Sequence, residues 1–249
     1  MIVEKQVFNF PTLKVPCDFP YIKKNSARIF EDKIFLKIYD EILLQSDHYQ
    51  DILSSHYSAL KHCSNIIDLG CGTGNLLTKF NKHSQTLTGI DSSAVSLNRL
   101  YHKSHQSQNI NLFSCNLSKR LPFIDDIFDG ISSMIVAHLL DDIEKHIKES
   151  HRILKPNGTF ILTARDYNGK DENIIDIVKH SLEKKDLLKE KRSDFNQLCD
   201  RLLLTANKRS PSLMTAADAV FLCMKTGYKN IQLLPNKTSK VMYSIKAIK

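Results

Sequence analysis

Nowhere in the 249 residues does an apolar run reach the roughly 18 residues that a membrane-spanning helix requires. The opening stretch, residues 1–7, lacks the basic-then-apolar layout of a secretory leader. Cysteines are few. Cys17, Cys63, Cys71, Cys115, Cys199 and Cys223 never fall in C-x-x-C spacing, so no zinc or haem pattern forms and reduced thiols are expected. These absences together predict a soluble cytoplasmic chain with no membrane partner and no metal. Lysine and arginine never run beyond two in a row, so no basic tail exists despite a net charge of +8 and a pI of 9.1. That charge admits anionic partners, nucleic acid among them; a solvated lysine-rich surface is the plainer reading. Glycine is scarce too, at eight residues.

What is there begins with the use of that glycine. Three of the eight stand at Gly70, Gly72 and Gly74, in the stretch Asn65-Ile66-Ile67-Asp68-Leu69-Gly70-Cys71-Gly72-Thr73-Gly74-Asn75. A short apolar strand running into a glycine turn predicts a ligand lip at the carboxyl end of a parallel strand. A helix opening over Asn75–Phe80 would aim free N–H groups and a helix dipole at an anion there. The turn is no Walker loop, for no glycine pair frames G-x-x-x-x-G-K. It is no dinucleotide fingerprint either, because Asn75 stands where the third glycine belongs.

In chain order, residues 1–30 carry three of the seven prolines and read as an extended arm. Apolar residues at helical spacing from Ile29 to Leu43, then a second helix over Tyr49–His62, precede the first strand. Tyr39 and Tyr57 on these helices are candidates for ligand contact, with packing the stronger expectation. Thr86–Asp91 reads as a second parallel strand ending in a carboxylate 21 residues after Gly70. Such a carboxylate can accept both ribose hydroxyls of an adenosine, or cap the helix expected over Ser93–Gln106. Strands follow at Ile110–Cys115 and Phe128–Ile135, and a helix runs to Leu154. Pro156 and Gly158 turn the chain into a fifth strand. Residues 165–213 exceed a simple connection and hold two amphipathic helical patterns, which read equally as a substrate-covering insertion or as a helical pair that extends the core. The helix Ala216–Thr226, ended by Gly227, leads to strands at Asn230–Leu234 and Val241–Ile248.

The acidic-x-G-x-G-x-G order at Asp68–Gly74 resembles motif I of the class I S-adenosylmethionine-dependent methyltransferases. Leu121-Pro122-Phe123 through Phe128-Asp129-Gly130-Ile131, and Arg152-Ile153-Leu154-Lys155-Pro156-Asn157-Gly158, are similar to two further segments of that family. The resemblance covers about Tyr39 to Lys249. It implies an α/β, Rossmann-like sheet of seven strands, the last antiparallel, with helices on both faces and a helical insertion after strand five at about 165–213. The implied organisation is an arm and cap helices over 1–62 and a methyltransferase domain over 63–249. The implied cofactor is S-adenosyl-L-methionine, with Asp68 toward its amino end and Gly70, Cys71, Gly72 and Gly74 giving backbone access. Asp91 would hold the ribose, Ser92 would lie beside the adenine, and Leu117 would wall the adenine slot. Asn116 stands where the family carries an Asp, and its carbonyl can take the same hydrogen bond. Ser133 and Met134 would lie near the methyl group, and His138 is the candidate general base. Ser132-Ser133-Met134-Ile135 is unlike the [DN]-P-P-[YF] of the base-methylating branch.

Three functions stay open. The first is methylation of a small-molecule or carrier-bound acceptor under a substrate-covering insertion. The second is methylation of tRNA or rRNA, supported by charge alone. The third is a non-catalytic cofactor-binding protein; an NAD oxidoreductase ranks last because the glycine register is wrong.

Overall fold

The computed structural model describes residues 30–80, 85–104, 110–169, 172–206, 213–235 and 241–249. The arm expected over residues 1–30 lies outside them, apart from Phe30. Seven strands form one sheet: β1 (Asn65–Leu69), β2 (Thr86–Asp91), β3 (Ile110–Ser114), β4 (Phe128–Met134), β5 (Leu154–Arg165), β6 (Lys229–Leu234) and β7 (Met242–Ile248). Their order is β3-β2-β1-β4-β5-β7-β6. The first five run parallel, while β7 is antiparallel to both β5 and β6. The expected architecture is therefore present. The order reverses at β1, which has β2 on one side and β4 on the other. Open sheets leave a crevice beyond the carboxyl ends of such strands.

The inner strands are buried on both faces, which is why they read as nearly continuous apolar runs. Ile66, Ile67, Leu69, Ile90, Ile131, Phe160 and Ile161 are fully buried. One face of the sheet packs on α4 (Ile143–Ile153) and α7 (Ala216–Thr226). The other carries α1 (Lys33–Leu43), α2 (Asp47–Leu60), α3 (Ala94–Lys103), α5 (Glu172–Lys184) and α6 (Arg192–Ala206).

Caps decide where the helices start. Asp32 accepts from Ile34 and Phe35 N–H and opens α1 there, later than the apolar periodicity suggests. Ser93, not Asp91, caps α3, accepting from Ser96 N–H at 3.1 Å. A capping box of Thr215 and Asp218 starts α7, and Gly227 ends it at φ 108°. Two turns differ from the sequence expectation. The helix expected from Asn75 is a single 3₁₀ turn, Leu77–Lys79. At the start of β5 the residue with positive φ is Asn157 (63°), not Gly158. Gly158 instead permits a close approach, since a Cβ there would stand 2.6 Å from Leu154 Cδ1. Here the pairing with β4 jumps from Phe128–Leu154 to Gly130–Thr159.

Candidate functional site

The glycine turn hangs on the end of β2. Gly70 and Cys71 N–H both donate to the Ile90 carbonyl at 2.8 Å. Gly72 N–H donates to Asp91 Oδ2 at 2.9 Å, and Ser93 N–H to Asp91 Oδ1 at 2.8 Å. Asp91 thus ties the turn to the head of α3. All three glycines have positive φ, at 79°, 52° and 78°. Their surroundings differ. A Cβ on Gly70 would stand 2.5 Å from Val136, and one on Gly74 would stand 2.1 Å from Leu100. A Cβ on Gly72 would meet nothing within 4 Å. Of the three, Gly72 faces open space, and the other two are demanded by packing. Because only a 3₁₀ turn follows Gly74, no full helix opens directly behind the glycine turn; the helix whose N-terminus reaches the site is α3, through Ser93.

A cavity opens beyond the carboxyl ends of β1 to β4, against α1. Gly70, Cys71, Gly72, Asp91, Ser92, Asn116 and Leu117 line it, together with Met134. Asn116 Oδ1 already accepts from Ser118 N–H at 2.9 Å, which leaves its second lone pair and its amide N–H groups for a ligand. The opposite wall is apolar: Phe30, Leu36 and Tyr39 from the α1 side, and Ile135, Val136, Leu139 and Leu140 after β4. Of the two candidate tyrosines, Tyr39 lines the cavity and Tyr57 packs on Phe80 with centroids 5.1 Å apart. Ile135 holds φ 58°, a strained conformation for a β-branched residue, at the turn that presents this wall.

Besides Tyr57, four candidate residues stand outside the lining: Asp68, Gly74, Ser133 and His138. Ser133 is on the wrong face, since neighbours in a strand point to opposite sides. Its hydroxyl meets His146 Nε2 of α4 at 2.9 Å. His138 sits in the 3₁₀ turn Ala137–Leu139, where residues three apart share a side. Val136 and Leu139 take the cavity side, so His138 does not. Burial and then the Arg165 charge push His138 down to about 4, and its Nδ1 is buried without a partner. As a general base it is both misplaced and weak. Asp68 is fully buried just behind Gly70. Burial, with the Asp91 charge adding to it, pushes it up to about 7 against a hydrogen bond from Ser132. Its Oδ1 has no hydrogen-bond partner.

The described helices of the insertion extend the core, the second of the two readings the sequence offered. Val178, Leu182, Phe195 and Leu198 pack in the cluster that holds α1 and α2, and among the described residues none of α5 or α6 lines the cavity. The cover over the glycine turn is α1 itself. Asp40 on its buried side accepts from Asn75 Nδ2 (3.0 Å), Arg99 Nε (2.9 Å), Lys103 Nζ (3.1 Å) and the Thr73 hydroxyl. Asn75 also reaches Tyr49 Oη at 3.1 Å. Sequence reasoning missed Asp40, although a carboxylate within the apolar stripe of Leu36, Ile38 and Leu43 was a visible signal.

Residues 67–162 match the family model described as a methyltransferase domain. Among curated proteins, the chain is 29% identical over 117 residues to an uncharacterized methyltransferase, YcgJ, of Bacillus subtilis, covering 46% of each chain. It is 33% identical over 107 residues to the ubiquinone/menaquinone biosynthesis C-methyltransferase UbiE of Rickettsia prowazekii, covering 39% of this chain and 43% of that one. The chain spans less than half the length of these two relatives. Among solved structures, a SAM-dependent methyltransferase from Aquifex aeolicus aligns at TM-score 0.56 and 14% identity, over 91% of this chain and 99% of its own. The [4+2]-cyclase SpnF aligns at TM-score 0.57 and 14% identity, over 81% of each chain. Such distant structural likeness carries the fold alone. Sequence match, motif order and fold agree: residues 67–162 match the methyltransferase domain family, and the sheet has the class I methyltransferase fold, whose cofactor is S-adenosylmethionine.

Proposed function

We propose that the protein transfers a methyl group from S-adenosylmethionine to a small acceptor with an apolar body, free or carrier-bound. The carrying observation is the wall facing the glycine turn. Among the described residues, the cavity lining contains no lysine, arginine or histidine. A nucleic-acid substrate needs cations for its phosphates. Phe30, Leu36, Leu139 and Leu140 instead exclude water and favour an uncharged surface. The relatives named as ubiquinone/menaquinone C-methyltransferases support an acceptor of that kind.

The pocket fits the cofactor on two observations. Asp68 keeps an unpartnered carboxylate oxygen behind the turn, and Gly72 leaves space that any side chain would take. Asp91, Asn116 and Leu117 would hold the adenosine half, with Asp68 toward the amino end. When bound, the cofactor supplies an electrophilic methyl group with a neutral leaving group. The chain's own contribution is then positioning and desolvation. No group on the apolar wall is poised to take a proton, since burial raises the hydroxyls of Tyr39 and Tyr49 far above neutrality. An acceptor that is already nucleophilic, such as an enol carbon or a thiolate, suits this site.

The test is thermal unfolding with S-adenosylhomocysteine, with NAD in parallel. Ligand at about 100 times Kd adds roughly 2.7 kcal/mol, or a rise of about 5–10 °C for this size. A rise with the homocysteine compound alone, lost in Asp91→Ala, supports the reading. No rise at saturation refutes it. A second reading, binding without methyl transfer, draws on the missing base and on the cyclase that shares the fold. Radiolabelled methyl transfer to apolar acceptors separates the two.

A further inference from the structure

Behind the glycine turn, four strands contribute one polar residue each to an otherwise apolar face. Asp68 on β1 and Ser132 on β4 are register partners and hydrogen-bond. Ser132 Oγ meets His56 Nδ1 of α2 at 3.0 Å, and His56 Nε2 meets Thr163 Oγ1 of β5 at 2.8 Å. Thr163 Oγ1 meets Ser244 Oγ of β7 at 2.6 Å. His56, Ser132 and Thr163 are completely buried, and Ser244 nearly so. Five side chains thus form one unbranched chain across the sheet. The methyl-transfer reading uses only its first member.

Each link can run in one of two directions. A hydroxyl carries one proton, and a neutral imidazole carries one on a single nitrogen. His56 is neutral, since burial pushes it down to about 3. An ionised Asp68 accepts only. Ser132 must then donate to it, His56 must donate through Nδ1–H to Ser132, and Thr163 must donate to His56 Nε2. A protonated Asp68 that donates to Ser132 reverses every link and puts the imidazole proton on Nε2. Between the two orders one proton leaves Asp68, each hydroxyl keeps one, and the imidazole proton moves from Nε2 to Nδ1.

We propose that His56 is a positioning residue for Asp68, and that its tautomer is locked to the ionisation state of that carboxylate through Ser132. The groups facing Asp68 are Asp91 from β2, Cys71 from the turn, Tyr49 from α2 and Ser132 from β4. None of these is a cation. A ligand that brings an ammonium to Asp68 therefore fixes the Nδ1–H order, and the polarised chain in turn stabilises the carboxylate. This last step rests on the cofactor reading; the lock itself does not.

The experiment is ¹⁵N-histidine NMR of the free full-length protein, with long-range ¹H–¹⁵N correlations that distinguish Nδ1–H, Nε2–H and doubly protonated rings. The His56 signals are assigned by their absence from His56→Gln. The expected result is one switch from Nε2–H to Nδ1–H as pH rises through about 7, the midpoint of Asp68. Asp68→Asn abolishes it. A single tautomer from about pH 5.5 to 8.5 overturns the proposal, as does a switch that survives Asp68→Asn. Added S-adenosylhomocysteine moves the midpoint down. If the switch is present and the ligand leaves it unmoved, the lock stands and the cofactor reading fails. Calorimetry gives the positioning readout. His56→Leu weakens S-adenosylhomocysteine binding at pH 7 and regains it at higher pH, and His56→Gln, which keeps a donor and an acceptor, restores the profile. An equal loss at every pH would make His56 merely structural and overturn the positioning role.

Discussion

Asp40 holds the cover helix to the site, and replacing it tests the arrangement most directly. Its side chain is 3% exposed, against 31% for Arg99 and 29% for Lys103. Burial pushes the Asp40 carboxyl up. The Lys103 charge and the hydrogen bonds from Thr73, Arg99 and Lys103 outweigh that and hold it below its ordinary 3.8. Lys103 is itself lowered, because burial and Arg99 cost it more than its share of one carboxylate returns. Asp40→Ala leaves two cations together and strands the Thr73 and Asn75 donors. Breaking a buried pair costs about 3–5 kcal/mol, and each orphaned donor about 1–3. The cations are partly exposed and turn to water, which places the expected loss near the low end, about 3 kcal/mol. Urea denaturation measures it directly, and the midpoint temperature falls by about 6–12 °C. Asp40→Asn keeps an acceptor and loses about half as much. An unfolded aspartate takes up its proton at 3.8, before the folded one does. The Asp40 contribution is therefore complete above that value and fades as pH falls through it toward the lowered folded value. Asp40→Asn removes this part of the acid slope. A double-mutant cycle with Lys103→Met should show coupling above about 1 kcal/mol. An Asp40→Ala protein within about 0.5 kcal/mol of the parent would refute the argument.

The two glycines of the turn separate packing from binding. Gly74→Ala drives a Cβ into Leu100 at positive φ and destabilises by about 2–4 kcal/mol in chemical denaturation, whereas Gly72→Ala costs about 1 and chiefly weakens S-adenosylhomocysteine affinity. His146 is buried and lowered to about 4 against an ordinary 6.5. The unfolded chain protonates it first, so stability present above pH 6.5 is lost as pH falls toward 4, by up to about 1.4 kcal/mol per pH unit. His146→Gln keeps a partner for Ser133 and flattens that slope in a pH series of denaturation curves. Thr215→Ala breaks the α7 capping box and costs about 1 kcal/mol by the same assay. His138→Ala leaves S-adenosylhomocysteine affinity within about twofold by calorimetry, because the side chain faces away from the cavity; a tenfold loss would return it to the site.

Local rules carried the strands. Asn65–Leu69 and Thr86–Asp91 were readable to the residue, because both are short apolar runs bounded by turns. Asp91 at the end of β2, and Asn116 and Leu117 just beyond β3, line the cavity because open sheets set their crevice at the carboxyl ends of the strands, and those ends were located in the sequence. The helix expected after Gly74 was not formed, since one 3₁₀ turn meets the packing there. Ser133 went to the wrong face because a strand pattern fixes alternation but not which side is up. The insertion was legible as two helices, yet its docking against α1 and α2 depends on which apolar stripes meet, and pattern alone does not say.

The amino-acid sequence by itself determined the order of the strands and the glycine turn, since each follows from periodicity and backbone freedom over a few residues. Tertiary structure alone decided the rest. Asp40 meets Lys103 across 63 positions, and His56 meets Thr163 across 107. Such contacts exist only once the sheet brings α1, α2, α3 and β5 together. A buried polar group reveals its partner through the space it shares, and separation along the chain carries no trace of that.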